Sequence, residues 1–198
     1  MKKLVNVGLV MAMLLLVSGS AFAQLGIGKG IKGGYNFANV SADPDFDKSS
    51  RSAFAIGGFI ELDLPGPLDF QGEVLYFPKG AKAKTPADDI TFKGDYLEIP
   101  LLAKIQFPIA PTLSWNIHAG PSFGFKISEG TDPKVDTGGD VFKSSDFGGA
   151  VGAGVKFSAL ISYVAVDARY TLGFSDVSAQ EDVKLKNQVF SILVGIGF

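Results

Sequence analysis

The sequence predicts an all-β fold, namely an eight-stranded antiparallel up-and-down transmembrane β-barrel with short periplasmic turns and four longer extracellular loops. Three observations lead to this prediction: the apolar alternation of the last strand, the regular alternation of short and long connections, and the concentration of charge on one face in the central part of most strands. The composition agrees, because the chain has 25 glycines, 17 phenylalanines and 46% hydrophobic residues. Beyond the first residues, no apolar run is long enough for a membrane helix.

The last twelve residues, 187–198, alternate between a row of large apolar side chains and a row of smaller ones. Since successive side chains of a strand point to opposite faces, one face of this strand is apolar throughout. A barrel in a membrane needs such a face, because its outer wall meets lipid and its last strand closes on the first. The large row is Phe190, Ile192, Val194, Ile196 and Phe198. We expect the barrel-assembly machinery to recognise the strand that ends at Phe198.

The beginning of the chain predicts a cleaved secretory signal peptide over residues 1–23, followed by the barrel domain over 24–198. A basic start precedes an apolar run and small residues that end in an A-x-A site, so cleavage is expected between Ala23 and Gln24. The apolar run is short for the ~20 residues of a membrane anchor. The chain has no cysteine, which excludes disulfides, thiolate metal sites and a lipid-modified cysteine.

Alternating segments punctuated by Gly, Pro, Asp and Ser predict eight strands. They are expected at residues 27–40, 52–63, 68–78, 91–107, 112–127, 142–158, 161–172 and 187–198. Short turns join strands two and three, four and five, and six and seven. The long polar connections are residues 41–51, 79–90, 128–141 and 173–186. Outer-membrane barrels show this alternation, and an even number of strands places both termini in the periplasm.

In most of the predicted strands, the central part has one uncharged face and one that carries charge. In the fourth strand, Leu97, Ile99 and Leu101 share the first face, while Glu98 and Lys104 share the second. A Lys or Arg at the lipid midplane costs about 2–4 kcal/mol, so the charged faces are predicted to point inward. Side chains roughly fill an eight-stranded barrel, and buried charges must pair. We therefore expect an ion-pair network, and not an open pore, built from Glu73, Glu98, Lys104, His118, Lys156, Asp167 and Arg169.

Aromatic residues cluster near the ends of the predicted strands. Tyr and Trp favour the membrane–water interfaces, and barrels carry aromatic girdles there. The predicted interfacial aromatics are Phe54, Phe70, Tyr76, Phe107, Trp115, Phe125, Phe157, Tyr170 and Phe198.

A series of motifs carries a family resemblance. It comprises Ile31-Lys-Gly-Gly-Tyr-Asn-Phe37, Glu73-Val-Leu-Tyr-Phe-Pro-Lys-Gly-Ala81, Tyr96-Leu-Glu-Ile-Pro-Leu-Leu-Ala-Lys104, Ala119-Gly-Pro121, and Arg169-Tyr170 before a closing Gly-x-Gly-Phe198. In this order and spacing, the series resembles the outer membrane protein β-barrel domain family, also labelled porin family or PorT-like, over essentially the whole mature chain. The resemblance implies an outer-membrane barrel of a Gram-negative envelope and implies little about activity.

No catalytic, metal or cofactor site is predicted. His118, the single histidine, lies four residues from both Ser114 and Ser122, which is about 13 Å along a strand and too far for proton transfer. The Gly-rich segment 26–30 precedes a strand rather than a phosphate-binding helix. The aspartates of two predicted loops lack the glycine and closing glutamate of an EF-hand, and we interpret them as solvated. They are Asp43, Asp45, Asp47, Asp132, Asp136 and Asp140.

The sequence therefore indicates a small integral outer-membrane barrel with a structural, adhesion or interaction role, and not an enzyme. A narrow porin-like channel for small solutes or ions is the alternative if the lumenal charges leave a water path. A soluble lipocalin-like barrel, with its apolar faces inside, is a third possibility. The expected partners are outer-membrane lipid, the assembly machinery and an unidentified extracellular partner of the loops. A net charge of −2 argues against nucleic acid.

Overall fold

The computed structural model describes residues 26–43, 48–83, 90–132, 141–159, 161–179 and 184–198. Eight antiparallel strands form a closed barrel in which neighbours in sequence pair and the last strand pairs with the first. The strands are β1 (Gly26–Asp43), β2 (Lys48–Asp63), β3 (Leu68–Ala83), β4 (Ile90–Ala110), β5 (Leu113–Asp132), β6 (Ser145–Ala159), β7 (Ser162–Gly173) and β8 (Lys184–Gly197). The predicted fold class is confirmed. Within the described ranges, no helix is long and apolar enough to cross a membrane.

Some predicted features lie outside the described residues. These are the signal peptide 1–23, the cleavage site at Ala23 and Gln24, and the loop aspartates Asp45, Asp47, Asp136 and Asp140.

Several strands continue beyond their predicted ends into segments that we expected to be loops. β3 runs to Ala83 instead of Pro78, β4 begins at Ile90, and β5 runs to Asp132. The polar ends of β3 and β5 both pair with the start of β4, and backbone pairing needs no apolar side chains. Gly80, which lies in the predicted connection 79–90, takes a φ of 116° and still pairs with Lys93 within the ladder.

The outer wall is apolar and the interior is polar. Large exposed hydrophobic side chains occur on all eight strands, for example Ile31, Ile56, Leu101 and Val194, whereas charged side chains such as Glu73 are buried within the ring. A soluble lipocalin-like barrel requires the opposite arrangement, so that alternative is wrong. The charged rows point inward because only the outer row can remain free of charge against hydrocarbon.

The chain after β7 continues beside the segment that precedes β6, beyond the end of the β6–β7 ladder. The backbone N–H of Lys143 donates to the carbonyl of Val177 at 2.8 Å, and that of Ala179 donates to Val141 at 3.0 Å. We call the buried apolar group formed there the apolar cap; its members are Val40, Ala81, Phe142, Val177 and Leu185. Part of the predicted polar loop 173–186 is therefore packed, because its apolar residues find buried partners at the end of the barrel.

Asp176 holds the cap in place from outside. Its carboxylate accepts the backbone N–H groups of Ser178 at 3.0 Å and Leu185 at 2.9 Å, and the ammonium of Lys143 at 3.1 Å. Partial burial by itself would raise the pKa of Asp176, but these three donors outweigh it and hold the pKa below its usual value. Asp176 is therefore charged at neutral pH and links Ser178, Lys143 and Leu185 through hydrogen bonds.

Candidate functional site

The centre of the lumen holds two cations and two carboxylates in contact, which we call the central cluster. Both terminal nitrogens of Arg169 donate to Glu73, at 2.6 and 2.8 Å. Lys32 Nζ donates to Glu73 at 2.8 Å and to Asp167 at 2.6 Å. All four side chains are almost completely buried. The two charge signs balance within the cluster, and the bidentate Arg–carboxylate pair is the strongest geometry for such a contact.

A second group, the short-turn cluster, lies toward the end of the barrel where the short turns are. Glu61 accepts hydrogen bonds from Lys156 Nζ at 3.0 Å and from the Tyr163 hydroxyl at 2.7 Å. Lys104 Nζ lies 3.6 Å from Glu61 and donates to Gln71 at 2.7 Å. Gln71 in turn donates to Glu73, so this cluster is continuous with the central one.

A third group, the long-connection cluster, lies toward the opposite end. Lys79 Nζ contacts Glu98 at 2.7 Å and Asp146 at 2.9 Å. The hydroxyl of Ser122 donates to Glu98 at 2.5 Å, and Asn187 Nδ2 donates to Asp146 at 2.8 Å. The apolar cap lies beyond this cluster, near the ends of β1, β3 and β8.

All seven predicted members of the network lie on inward rows. Six are buried, and Lys156 is half-buried. Two glycines make room for them, because a Cβ at Gly154 would overlap the Asp167 carboxylate and one at Gly152 would lie 2.5 Å from His118 Nε2. Sequence reasoning missed four further charged members, namely Lys32, Glu61, Lys79 and Asp146. Lys32 and Glu61 directly follow the outward residues Ile31 and Ile60, a signal in the sequence that would have placed them inward, whereas Lys79 was placed in the long polar connection 79–90.

The geometry around the single histidine offers no nucleophile. His118 Nδ1 lies 3.0 Å from the amide oxygen of Asn116. Ser122 donates to Glu98, and Ser114 donates to Gln106 at 3.4 Å. The partners seen in the described part of the chain thus do not link either serine to the histidine, and acyl transfer would need such a link.

The predicted interfacial aromatics lie on outward rows at two levels. Phe70, Phe107, Trp115, Phe157 and Phe198 lie toward the short turns, and Phe54, Tyr76, Phe125 and Tyr170 toward the long connections. Phe107 and Trp115 stack with ring centroids 4.3 Å apart. The hydroxyl of Tyr76 donates to Asp95 at 2.9 Å. Their depth relative to lipid headgroups stays a prediction, as does recognition of Phe198 by the assembly machinery.

Three carboxylates converge at the short-turn mouth. Oxygen atoms of Glu61, Asp63 and Asp69 all lie within 4.8 Å of one another. Glu61 is already engaged by Lys156 and Tyr163, so this group offers few free oxygens for a cation that takes six or more.

Comparison with known proteins gives a family and a fold. The family model described as outer membrane protein β-barrel domain matches residues 22–179. No curated protein matches significantly in sequence. The chain is similar in structure to Neisserial surface protein A, with a TM-score of 0.53 and 16% identity over 86% of this chain and 97% of that one. It is also similar to the outer membrane protein OprG from Pseudomonas aeruginosa, with a TM-score of 0.51 and 14% identity over 86% and 95%.

Proposed function

The chain belongs to the outer membrane protein β-barrel domain family, and from this premise we propose that it is a closed barrel with a structural, adhesion or interaction role at the bacterial surface, rather than a pore. The family indicates the bacterial outer membrane. The neighbours are below 25% identity and contribute the fold alone.

The filled lumen is the observation that carries the proposal. Three ion-pair clusters occupy the interior, two of them joined through Gln71, and the apolar cap lies at one end of it. An ion that crosses would have to displace buried pairs such as Arg169–Glu73, whose separation leaves two unpaired charges in a medium of low dielectric constant. A structure of this kind favours a role for the outer surface and the loops over conduction.

Bilayer conductance tests the closed lumen. We expect purified, folded protein to give no stepwise currents in a planar bilayer. A variant that combines Arg169→Ala, Glu73→Ala and Phe142→Ala removes the central pair and part of the cap, so we expect steps from it, which also shows that the assay detects an open form. Regular steps from the unaltered protein, with a size that follows salt concentration, would contradict the closed barrel and support the narrow channel.

The orientation is the second part of the proposal: the short turns and both termini face the periplasm, and the long connections face outward. The chain has no cysteine, so a single introduced thiol reports its side of the membrane. We expect Lys184→Cys, on an exposed strand end, to react with a membrane-impermeant maleimide in intact cells. Pro65→Cys, in an exposed short turn, should react only after the outer membrane is permeabilised. The reverse labelling pattern would invert the orientation.

A further inference from the structure

Lys29 occupies an unusual position on the outer wall. It lies on the outward row of β1 between Ile27 and Ile31, which are 44% and 55% exposed. At the short-turn end, it is the one charged residue on the outward rows of the described strands. Its Nζ lies 5.8 Å from the ring centroid of Phe198, and its backbone pairs with that residue at 2.9 and 3.0 Å. Lys29 therefore lies at the level of the aromatic ring toward the short turns.

An apolar groove of about 210 Å³ begins beside this lysine on the outer wall. Two outward glycines on adjacent strands, Gly58 and Gly72, leave the wall without side chains there. A Cβ would meet its nearest neighbour at 3.4 Å at Gly58 and at 3.6 Å at Gly72, so both positions border open space. The sides of the groove are formed by Ile31, Ile60, Val74, Ile99 and Leu101.

The lysine and the groove are joined through the strand register. Lys29 pairs with Ile60, and Ile60 pairs with Gly72, so Lys29 and Gly72 lie on one rung. Gly58 lies on the next outward rung, opposite Ile31. The wall is also less continuous here, because the β3–β4 pairs stop at Gly72 and resume at Leu75. Pro100, which lies opposite this interval, has no N–H to donate. The inward residues Phe59 and Glu73 also border the groove, although the Glu73 side chain is fully buried in the lumen.

We infer that this groove binds an acyl chain of a periplasmic-leaflet phospholipid, with the lipid phosphate on the Lys29 ammonium. The groove opens onto the surface that meets hydrocarbon, and a concave apolar surface there is complementary to a single chain. A lysine at lipid depth is costly unless its flexible stem carries the ammonium to the interface, where phosphate is the available anion. In the described part of the chain, Lys29 forms no ion pair with a carboxylate. The inference rests on the orientation proposed above.

Native mass spectrometry of the folded protein in mild detergent tests the site. The probes are dioleoylphosphatidylglycerol and, without a phosphate, dioleoylglycerol. We expect one phosphatidylglycerol to be retained by the unaltered protein. Gly58→Leu combined with Gly72→Leu fills the open space and should lower retention of both probes at least ten-fold. Lys29→Gln should lower phosphatidylglycerol retention about five-fold, which corresponds to about 1 kcal/mol, and leave dioleoylglycerol unchanged.

Ala168→Leu is the matched control, because it adds the same side chain to an exposed outward position on β7, away from the groove. Retention should be unchanged in this variant, and a heat-dependent gel shift should show that every variant is folded. Equal retention of the lipid by all variants would overturn the site. A dimer of the unaltered protein that Gly58→Leu with Gly72→Leu disrupts would also overturn it, because the groove would then bind a second copy of the chain and not a lipid. If Pro65→Cys were labelled in intact cells while phosphatidylglycerol retention still depended on Lys29, the lipid site would stand. Only its assignment to the periplasmic leaflet and the proposed orientation of the barrel would be overturned. Conductance of the unaltered protein would count against the closed barrel alone.

Discussion

Replacing Arg169 with leucine is expected to lower the free energy of unfolding by about 3 kcal/mol, because it leaves a buried carboxylate short of its strongest partner. Glu73 is 1% exposed and accepts two of its hydrogen bonds from Arg169. This expected loss lies at the lower end of the range of about 3–5 kcal/mol for breaking a buried ion pair, because Lys32 still contacts Glu73 at 2.8 Å. Urea unfolding of the detergent-solubilised barrel, followed by the fluorescence of Trp115, measures the change.

Two comparisons separate the ion pair from a general effect of removing charge. Lys93→Leu breaks an exposed pair with Asp132, which we expect to cost less than about 1 kcal/mol. Adding Glu73→Leu to Arg169→Leu removes the stranded carboxylate, so the double variant should recover part of the loss. An unchanged unfolding midpoint for Arg169→Leu would show that its side chain is solvated rather than buried beside Glu73.

Gly34→Ala is expected to disrupt the seam at which the barrel closes. Gly34 lies on β1 opposite Leu193 of β8. A Cβ at this position would overlap the carbonyl oxygen of Ile192 and lie 2.8 Å from the Leu193 Cα, and neither backbone atom can move without opening the seam. Overpacking of this kind costs about 1–3 kcal/mol and sometimes more. We expect at least the upper value here, measured as loss of the heat-modifiable folded band after refolding in detergent.

Gly58→Ala supplies the same chemical change where space is open, because its Cβ would come no closer than 3.4 Å to the Gly30 oxygen. This variant should fold with a stability within about 0.5 kcal/mol of the unaltered protein. Equal folding and stability of the two alanine variants would contradict a close approach of β1 and β8 at Gly34. Closure of the barrel would then depend on another part of the seam.

The two faces of the wall were predictable because a strand has a period of two. Once the outer row had to be free of charge, residues such as Glu98, Asp167 and Arg169 could lie only inside, and they do. The same rule applied to Lys32 and Glu61 would have added two members of the network. Lys79 was harder to place, because it lies in the segment 79–90 that was predicted to be a polar connection, whereas Asp146 lay within the sixth predicted strand, on the face of Lys156, and the same rule would have added it.

The apolar cap was not predictable in this way. Phe142 and Val177 lie in segments that are polar overall, and their burial depends on a bridge between Phe142 and Ser178 that extends the β6–β7 pairing beyond the ends of the two strands. The groove beside Lys29 is similar, since Gly58 and Gly72 become adjacent only when β2 and β3 pair in one particular register.

The sequence by itself determined the number of strands, their alternating faces, the order of short and long connections, and the polar character of the lumen. Each of these features depends on residues that are neighbours along the chain. Only the tertiary structure decided which cation meets which carboxylate. Lys32 and Asp167 are 135 positions apart, and Arg169 and Glu73 are 96 apart. Their contact depends on closure of the ring, which brings distant strands to one level across a lumen too narrow for charges to stay unpaired.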